Sequence, residues 1–317
     1  MSDTKLLLID GHALIYRAYH AFPGLTDPTG RLVNAVYGFS RLLLTSLKDL
    51  QPTHVAVAFD HKGKTKRAES FEQYKAHRPP MPDDLKVQIQ LVKDVVTALN
   101  IPAFSLEGYE ADDIIGTIVE QLVPSSDSQR DDSLHITILT GDKDLLQLVR
   151  SGVTVYIPSR SKTQGDREFD AQLVKEVLGI TPEQVVDLKA LMGDASDNIP
   201  GIKGIGKKTG TTLIQTYGSL DGVYKEIDRL ENSGEQSAVI KGSVQTKLTE
   251  GREIAYQSQE LARILTTVQI DFNLDDCAVA AYDKAEVTAL FESFNFKSLL
   301  GLLPKDEFEM SVQEALF

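Results

Sequence analysis

Five short apolar runs punctuate the first half of the chain: 5–10 (KLLLID), 54–60 (HVAVAFD), 101–106 (IPAFSL), 135–142 (HITILTGD) and 153–158 (VTVYIP). Between them, residues 35–50, 83–99 and 111–122 carry apolar residues at helical spacing. Strands that are apolar along their whole length are buried on both faces, and their alternation with helices demands crossover connections. The expected fold is therefore α/β, a mostly parallel central sheet flanked by helices. Three of the runs end in an aspartate, Asp10, Asp60 and Asp142. In open α/β sheets the functional crevice lies at the carboxyl ends of the strands, so these carboxylates are expected to converge there.

Beyond about residue 170 the strand signals fade. Helices are expected at 171–178, 182–192, 208–217, 244–262 and 285–294. This divides the chain into an α/β core over 1–170, a helical subdomain over 171–303 and a tail or linker over 304–317. The polar stretch 124–133 (PSSDSQRDDS) reads as an exposed loop.

Three acidic clusters accompany the strand-end aspartates: Glu110, Asp112 and Asp113 in EADD, Asp142 and Asp144 in GDKD, and Asp194 and Asp197 in GDASDN. Taken singly, each has an ordinary structural reading, since an aspartate after a strand is commonly a helix cap and acids favour a helix N-terminus. Together they repeat at sheet-edge positions, where crowded carboxylates raise one another's pKa unless a cation intervenes. Oxygen ligands of this kind suit Mg²⁺ or Mn²⁺, and two such ions can activate water and stabilise a leaving phosphodiester oxygen. No HExxH, GxSxG or GxxxxGK[ST] motif competes. The single cysteine, Cys277, excludes an intrachain disulfide and a Cys-rich zinc site.

The net charge of −13 argues at first against a nucleic-acid partner. The distribution argues otherwise. Residues 61–78 hold six Lys/Arg against two Glu, and residues 201–212 hold three Lys and no acid. In the first segment Lys75 and Arg78 are three apart, so on a helix they share a face that could grip a phosphate and offset charge in the transition state. In the second, Gly201, Gly204 and Gly206 precede a helix expected to begin near Lys207. Glycines and a helix N-terminus admit a phosphate closely, and Ile202 and Ile205 would pack beneath. Together with Lys203, Lys207 and Lys208, this matches a helix–hairpin–helix that holds a duplex backbone without reading bases.

LLLIDGHALIYRAYHA, AVYGF, VAFD, YKAHRPPMPDDL, GYEADDIIGT, LTGDKDLLQLV, ALMGDASDNIPGIKGIGKKT and FNFKSLL follow one another in order. In this the chain resembles the N-terminal 5′ nuclease domain of bacterial DNA polymerase I, within the flap endonuclease superfamily, from about Lys5 to about Leu302. The resemblance implies a PIN-like 5′ nuclease fold with a helical arch at about 61–84 and a helix–hairpin–helix at about 186–217. It implies a structure-specific 5′-3′ exonuclease and flap endonuclease acting in primer removal and DNA repair. Asp10, Asp60, Glu110, Asp112 and Asp113 would build one metal region, and Asp142, Asp144, Asp194 and Asp197 a second, for two or more Mg²⁺ or Mn²⁺ ions. Lys75 and Arg78 would contact the reacting phosphate. Tyr74, beside them, and Tyr16 would stack on unpaired bases, and Lys64 and Arg67 would line the arch. Gly201, Lys203, Gly204, Gly206, Lys207, Lys208 and Thr209 would hold the downstream duplex.

The implied partners are DNA with 5′ flaps, nicks or gaps, RNA primers on DNA, and a polymerase domain in cis or in trans. No membrane partner is expected. A monomer in the bacterial cytoplasm is expected. The chain departs from the family at Lys66, where an aromatic residue is usual, and in length, since the family continues into further domains; the acidic tail after Pro304 resembles the start of an interdomain linker. Two rival readings are a DNA-structure-binding module without activity and a single-strand ribonuclease. The full carboxylate set weighs against the first, and the duplex-holding hairpin against the second.

Overall fold

The computed structural model describes residues 3–22, 24–125, 133–159, 165–279 and 282–305. Most of the expected loop at 124–133 and of the tail at 304–317 lies outside them.

Six strands, β1 (Thr4–Asp10), β2 (His54–Ala58), β3 (Ala103–Phe104), β4 (Leu134–Leu139), β5 (Val153–Ile157) and β6 (Arg167–Phe169), form one sheet in the order β3-β2-β1-β4-β5-β6. All pairs are parallel except β5–β6. Side chains of β1 alternate between two cores, as a pleated strand requires. Leu7 and Ile9 pack into one, Leu6 and Leu8 into the other. From Leu6 to Asp10 the run is thus buried on both faces.

The first core is closed by α1 (Gly11–Ala21), α2 (Asn34–Leu50) and, after the short α3 (Lys66–Ser70), α4 (Asp83–Ala98). The second is closed by α5 (Ala111–Leu122) and by the helices that follow the sheet: α6 (Ala171–Leu178), α7 (Val185–Met192), α8 (Lys207–Tyr217), α9 (Leu220–Ser233), α10 (Ser243–Glu250) and α11 (Arg252–Ala262). The chain then crosses back. Val279 donates its backbone N–H to the Thr53 carbonyl, and α12 (Lys284–Ser293) and α13 (Lys297–Leu300) pack beside α2 and α4.

The last two helices pack in the first core, and the second core takes residues from both sides of position 170, from Leu6 to Cys277. Some expected elements are corrected. The expected helix 244–262 is two helices, parted at Gly251. A Cβ there would stand 2.8 Å from both the Ile202 side chain and the Lys247 carbonyl. The helices α1, α9 and α13 and the strand β6 are additional to the expected elements, and the run 101–106 pairs over only two residues. Among the described residues no helix is long and apolar enough to cross a membrane.

The strand order reverses between β1 and β4. In sheets of this type the crevice outside the strand ends at that switch point is where ligands bind.

Candidate active site

At the switch point β1 delivers Asp10. One carboxylate oxygen accepts the N–H of Ala13 at 3.0 Å and so caps α1; the other accepts the Thr140 hydroxyl at 2.7 Å. Asp10 thus caps α1 while it also lines the cleft described below. Asp60 lies two residues past β2 and Asp142 three past β4, so of the three aspartates only Asp10 ends a strand. Asp60 accepts the Ala111 N–H at 2.8 Å, and its own N–H donates to His12 Nδ1 at 2.9 Å. Asp142 accepts the N–H of Asp144 at 2.9 Å. Asp112 lies in the first turn of α5. These groups line a single large cleft with Tyr16, Lys75, Arg78, Glu110, Lys143, Asp144, Lys189, Asp194 and Lys207.

The cleft divides electrostatically. On the sheet side, burial together with the neighbouring Asp60 and Asp142 pushes the Asp10 carboxyl up to about 7. Burial and the charges of Asp10 and Asp142 hold Asp112 well above the carboxylate range. Asp144 and Asp194 share the Lys189 ammonium but move in opposite directions. Burial and Asp142 push Asp144 up to about 7 in spite of Lys189. For Asp194, Lys189 and the Ser196 hydroxyl outweigh burial and lower its pKa.

On the arch side, cations match the acids. Glu110 Oε2 accepts from Lys75 Nζ at 3.0 Å, the Tyr74 hydroxyl at 3.1 Å and Arg67 Nη1 at 3.3 Å. Asp197 accepts from Arg78 Nη2 at 2.5 Å and lies 3.7 Å from Lys75 Nζ. Burial opposes the Lys75 charge, yet Glu110, Tyr74 and Asp197 outweigh it and raise the lysine well above its usual value.

Among the described residues, no three His, Cys, Asp or Glu side chains stand together closely enough to hold a metal ion as placed. Glu110 and Asp197 turn to Lys75, and Asp144 and Asp194 to Lys189. The donor set still fits a hard divalent cation. It is all oxygen, and the sheet-side carboxyls carry more like charge than the protein offsets.

The arch departs most from expectation. Lys75 and Arg78 do not share a helix face; they sit in a turned segment after α3 in which Lys75 adopts φ 53°. Their heads meet because the segment wraps over the Asp194–Asn198 loop, with Lys75 N–H donating to the Asp197 carbonyl at 2.9 Å and Asn198 Nδ2 to the Gln73 carbonyl at 2.7 Å. Tyr74 is 5% exposed, so its ring is packed and does not present a base-stacking face. Arg67 is buried against Asp113 and does not line an opening. Asp113, 1% exposed, lies off the cleft wall. Lys64 and Tyr16 are exposed.

In the hairpin, α7 and α8 flank the turn, Ile202 and Ile205 lie buried beneath it, and Lys203, Lys207 and Lys208 are exposed, with Thr209 half-buried. Gly201 is corrected from a phosphate contact to a packing glycine. It is buried, donates its N–H to Ser258 Oγ at 3.0 Å, and a Cβ on it would come within 2.1 Å of the Gly193 backbone. Gly204 and Gly206 are exposed at the tip. Four residues that the sequence did not single out join the site. His12 braces Asp60, Lys143 lines the cleft, Lys189 bridges two carboxylates, and Lys247 donates to the Gly204 carbonyl from α10. The DGH and GDKD motifs contain the first two; nothing local marks Lys189 or Lys247.

The family described as 5′-3′ exonuclease, N-terminal resolvase-like domain, matches residues 5–179, and its C-terminal SAM fold matches 180–285. DNA polymerase I of Caldicellulosiruptor bescii is 40% identical over 98% of this chain and 35% of the relative. DNA polymerase I of Bacillus subtilis is 38% identical over 98% of this chain and 34% of the relative. The chain thus spans about a third of the length of these relatives. The T5 D15 protein co-crystallised with metal ions superposes with a TM-score of 0.63 at 22% identity, covering 92% of this chain and 99% of that one. The catalytic core of Rad2 in complex with DNA substrate superposes with a TM-score of 0.60 at 17% identity, covering 95% and 94%. Both likenesses bear on the fold.

Proposed function

Since this chain belongs to the 5′-3′ exonuclease family, we propose that it hydrolyses phosphodiesters at the 5′ ends and flaps of branched DNA, using divalent ions held by the cleft carboxylates. The observation that carries this reading is the sheet-side group, in which Asp10, Asp60, Asp112, Asp142 and Asp144 crowd the switch point and burial with like charge pushes Asp10 and Asp144 up to about 7. Such a site calls for cations. The D15 and Rad2 neighbours, with metal ions and DNA respectively, agree with that reading.

Asp10, Asp60, Glu110 and Asp112 would hold one ion, and Asp142, Asp144 and Asp194 another; Mg²⁺ or Mn²⁺ matches the donors. Bound there, the ions would supply Lewis acidity that lowers the pKa of an attacking water and neutralises charge on the leaving 3′ oxygen. The chain's own cations do the rest. Lys75 and Arg78 would exchange their present carboxylate partners for the non-bridging phosphate oxygens, where charge grows in the transition state. Lys189 would balance Asp144 and Asp194. Tyr16, exposed in the cleft wall, would stack on an unpaired base. The hairpin lysines 203, 207 and 208 would hold the duplex by its backbone. A polymerase partner, in cis or in trans, would fit the DNA polymerase I relatives.

The test is a 5′-flap duplex labelled at its 5′ end, incubated with Mg²⁺ and with EDTA, beside the same strand alone. Metal-dependent release of a short labelled product from the flap, with the free strand spared, is expected. Equal cleavage of the free strand would replace this reading with a general single-strand nuclease. Tight flap binding without cleavage would replace it with a binding module.

A further inference from the structure

We propose that Arg67 and Asp113 form an internal strut that positions the arch turn over the carboxylates, Asp113 being no metal ligand and Arg67 no DNA contact. The proposal rests on the nuclease reading above for its kinetic consequence alone.

Asp113 has no oxygen to spare. Its Oδ1 accepts from Arg67 Nη2 at 2.6 Å and from the Leu265 N–H at 2.9 Å; its Oδ2 accepts from Arg67 Nη1 at 2.9 Å and from the Glu110 N–H at 3.2 Å. Four donors fill the four lone-pair positions of a carboxylate. Its sequence neighbour Asp112 is the contrast, lining the cleft and accepting no hydrogen bond among the described residues. Adjacent carboxylates on one helix turn thus face opposite ways, one into the cleft and one into the protein.

Arg67 is equally committed. Both terminal nitrogens fork onto Asp113, Nη2 also donates to the Arg263 carbonyl at 2.7 Å, and Nη1 reaches Glu110 at 3.3 Å. The planar guanidinium thereby ties together three separate segments: α3 in the arch, the N-terminus of α5 that carries Glu110 and Asp112, and the stretch of chain leaving α11. Glu110 passes the constraint on, because the oxygen that receives Arg67 also receives Tyr74 and Lys75. Loss of the strut frees Glu110 and the turn that carries Lys75, which moves the phosphate-contacting ammonium without removing it. These are positioning residues, and a displacement of ~1 Å at such a group lowers turnover by about 10²-fold.

Removing one partner alone leaves a buried charge unpaired, so the main variant removes both: Arg67→Met with Asp113→Leu in the full chain. Four readouts apply. Bound Mn²⁺ is counted by paramagnetic resonance, duplex affinity is measured in Ca²⁺ across a salt series, kcat and KM are measured on the 5′ flap, and tryptic cleavage within residues 62–78 is timed without DNA. The strut predicts unchanged Mn²⁺ number, unchanged duplex affinity and salt slope, KM within about threefold, kcat down about 10²-fold, and faster tryptic cutting. Arg67→Lys, which keeps the charge and loses the fork, should show the same kcat loss and covers the case in which the double variant does not fold. A lost Mn²⁺ site would make Asp113 a ligand and overturn the proposal. A weaker duplex with a shallower salt slope would make Arg67 a DNA contact and overturn it as well. Wild-type kcat in either variant would reduce the pair to packing. If the unaltered chain shows no metal-stimulated cleavage, the function proposed above fails, while an unchanged tryptic rate would overturn the strut separately.

Discussion

The two sides of the cleft use one residue type to opposite ends. On the sheet side Asp10, Asp112 and Asp144 crowd together, Lys189 pairing with Asp144; burial and like charge push Asp10 and Asp144 up to about 7 and hold Asp112 well above the ordinary carboxylate range. On the arch side Glu110, Asp113 and Asp197 meet Arg67, Lys75, Arg78 and the Tyr74 hydroxyl, so nearly every oxygen has a donor. Asp113, filled by protein donors, has structural work; Glu110 would become available to an ion once Lys75 turns to a phosphate; and an acid left against its own kind calls for an ion from outside. The difference cannot be read from the number of acids in a motif, because EADD contributes to both sides.

The largest test of this contrast is the loss of a sheet-side acid. Asp142→Ala is expected to lower single-turnover cleavage of a 5′ flap by at least ~10³-fold while flap affinity in Ca²⁺ stays near that of the unaltered chain. Wild-type turnover would remove the metal assignment. Next comes Lys75→Ala, expected to lower kcat by ~10²–10³-fold, since it deletes the cation proposed to meet developing charge. An effect confined to KM would make Lys75 a substrate-positioning group.

A third test uses pH to separate the two sides. Asp10 and Asp144 are raised from the ordinary carboxylate value to about 7, so between about 4 and 7 the folded chain holds protons that the unfolded chain has lost. Their contribution to stability is present at low pH and is lost as pH rises through that window. Asp194, lowered, contributes with the opposite sign, present above the ordinary carboxylate pKa and lost as pH falls below it. Divalent ions should therefore raise Tm more at pH 8 than at pH 5.5, by some degrees at saturating metal. Equal shifts at both pH values would mean that the ions bind away from the raised carboxyls. The smallest effect is expected at the hairpin. Lys207→Ala should weaken every duplex sequence a fewfold and reduce the salt slope by about one. Sequence-selective loss would contradict a backbone-only grip.

Much of the fold is legible in the sequence. The strands β1, β2, β4 and β5 and the helices α2, α4, α5, α6 and α8 fall within a few residues of their apolar patterns, because those patterns are periodic and the strands are buried on both faces. The crowding of Asp10, Asp60 and Asp142 follows from their places at or just beyond the carboxyl ends of neighbouring parallel strands. The turn carrying Lys75 does not follow, since a spacing of three suggests a helix, whereas the backbone there is held in a left-handed conformation by a bond to Asp197. The placement of α12 and α13 is hidden for a similar reason, since helical periodicity says which face is apolar and not which core receives it.

The sequence by itself determined the α/β class, the set of carboxylates available for metal chemistry, and the basic hairpin, all of which are written in local pattern and residue type. The tertiary structure alone decided which acids are spent and which remain. Lys75 meets Glu110 across 35 residues, Arg67 meets Asp113 across 46, and Arg78 meets Asp197 across 119. Those partnerships arise only when the arch, α5 and the hairpin loop pack against one another, and a buried charge takes its character from the neighbours that packing provides.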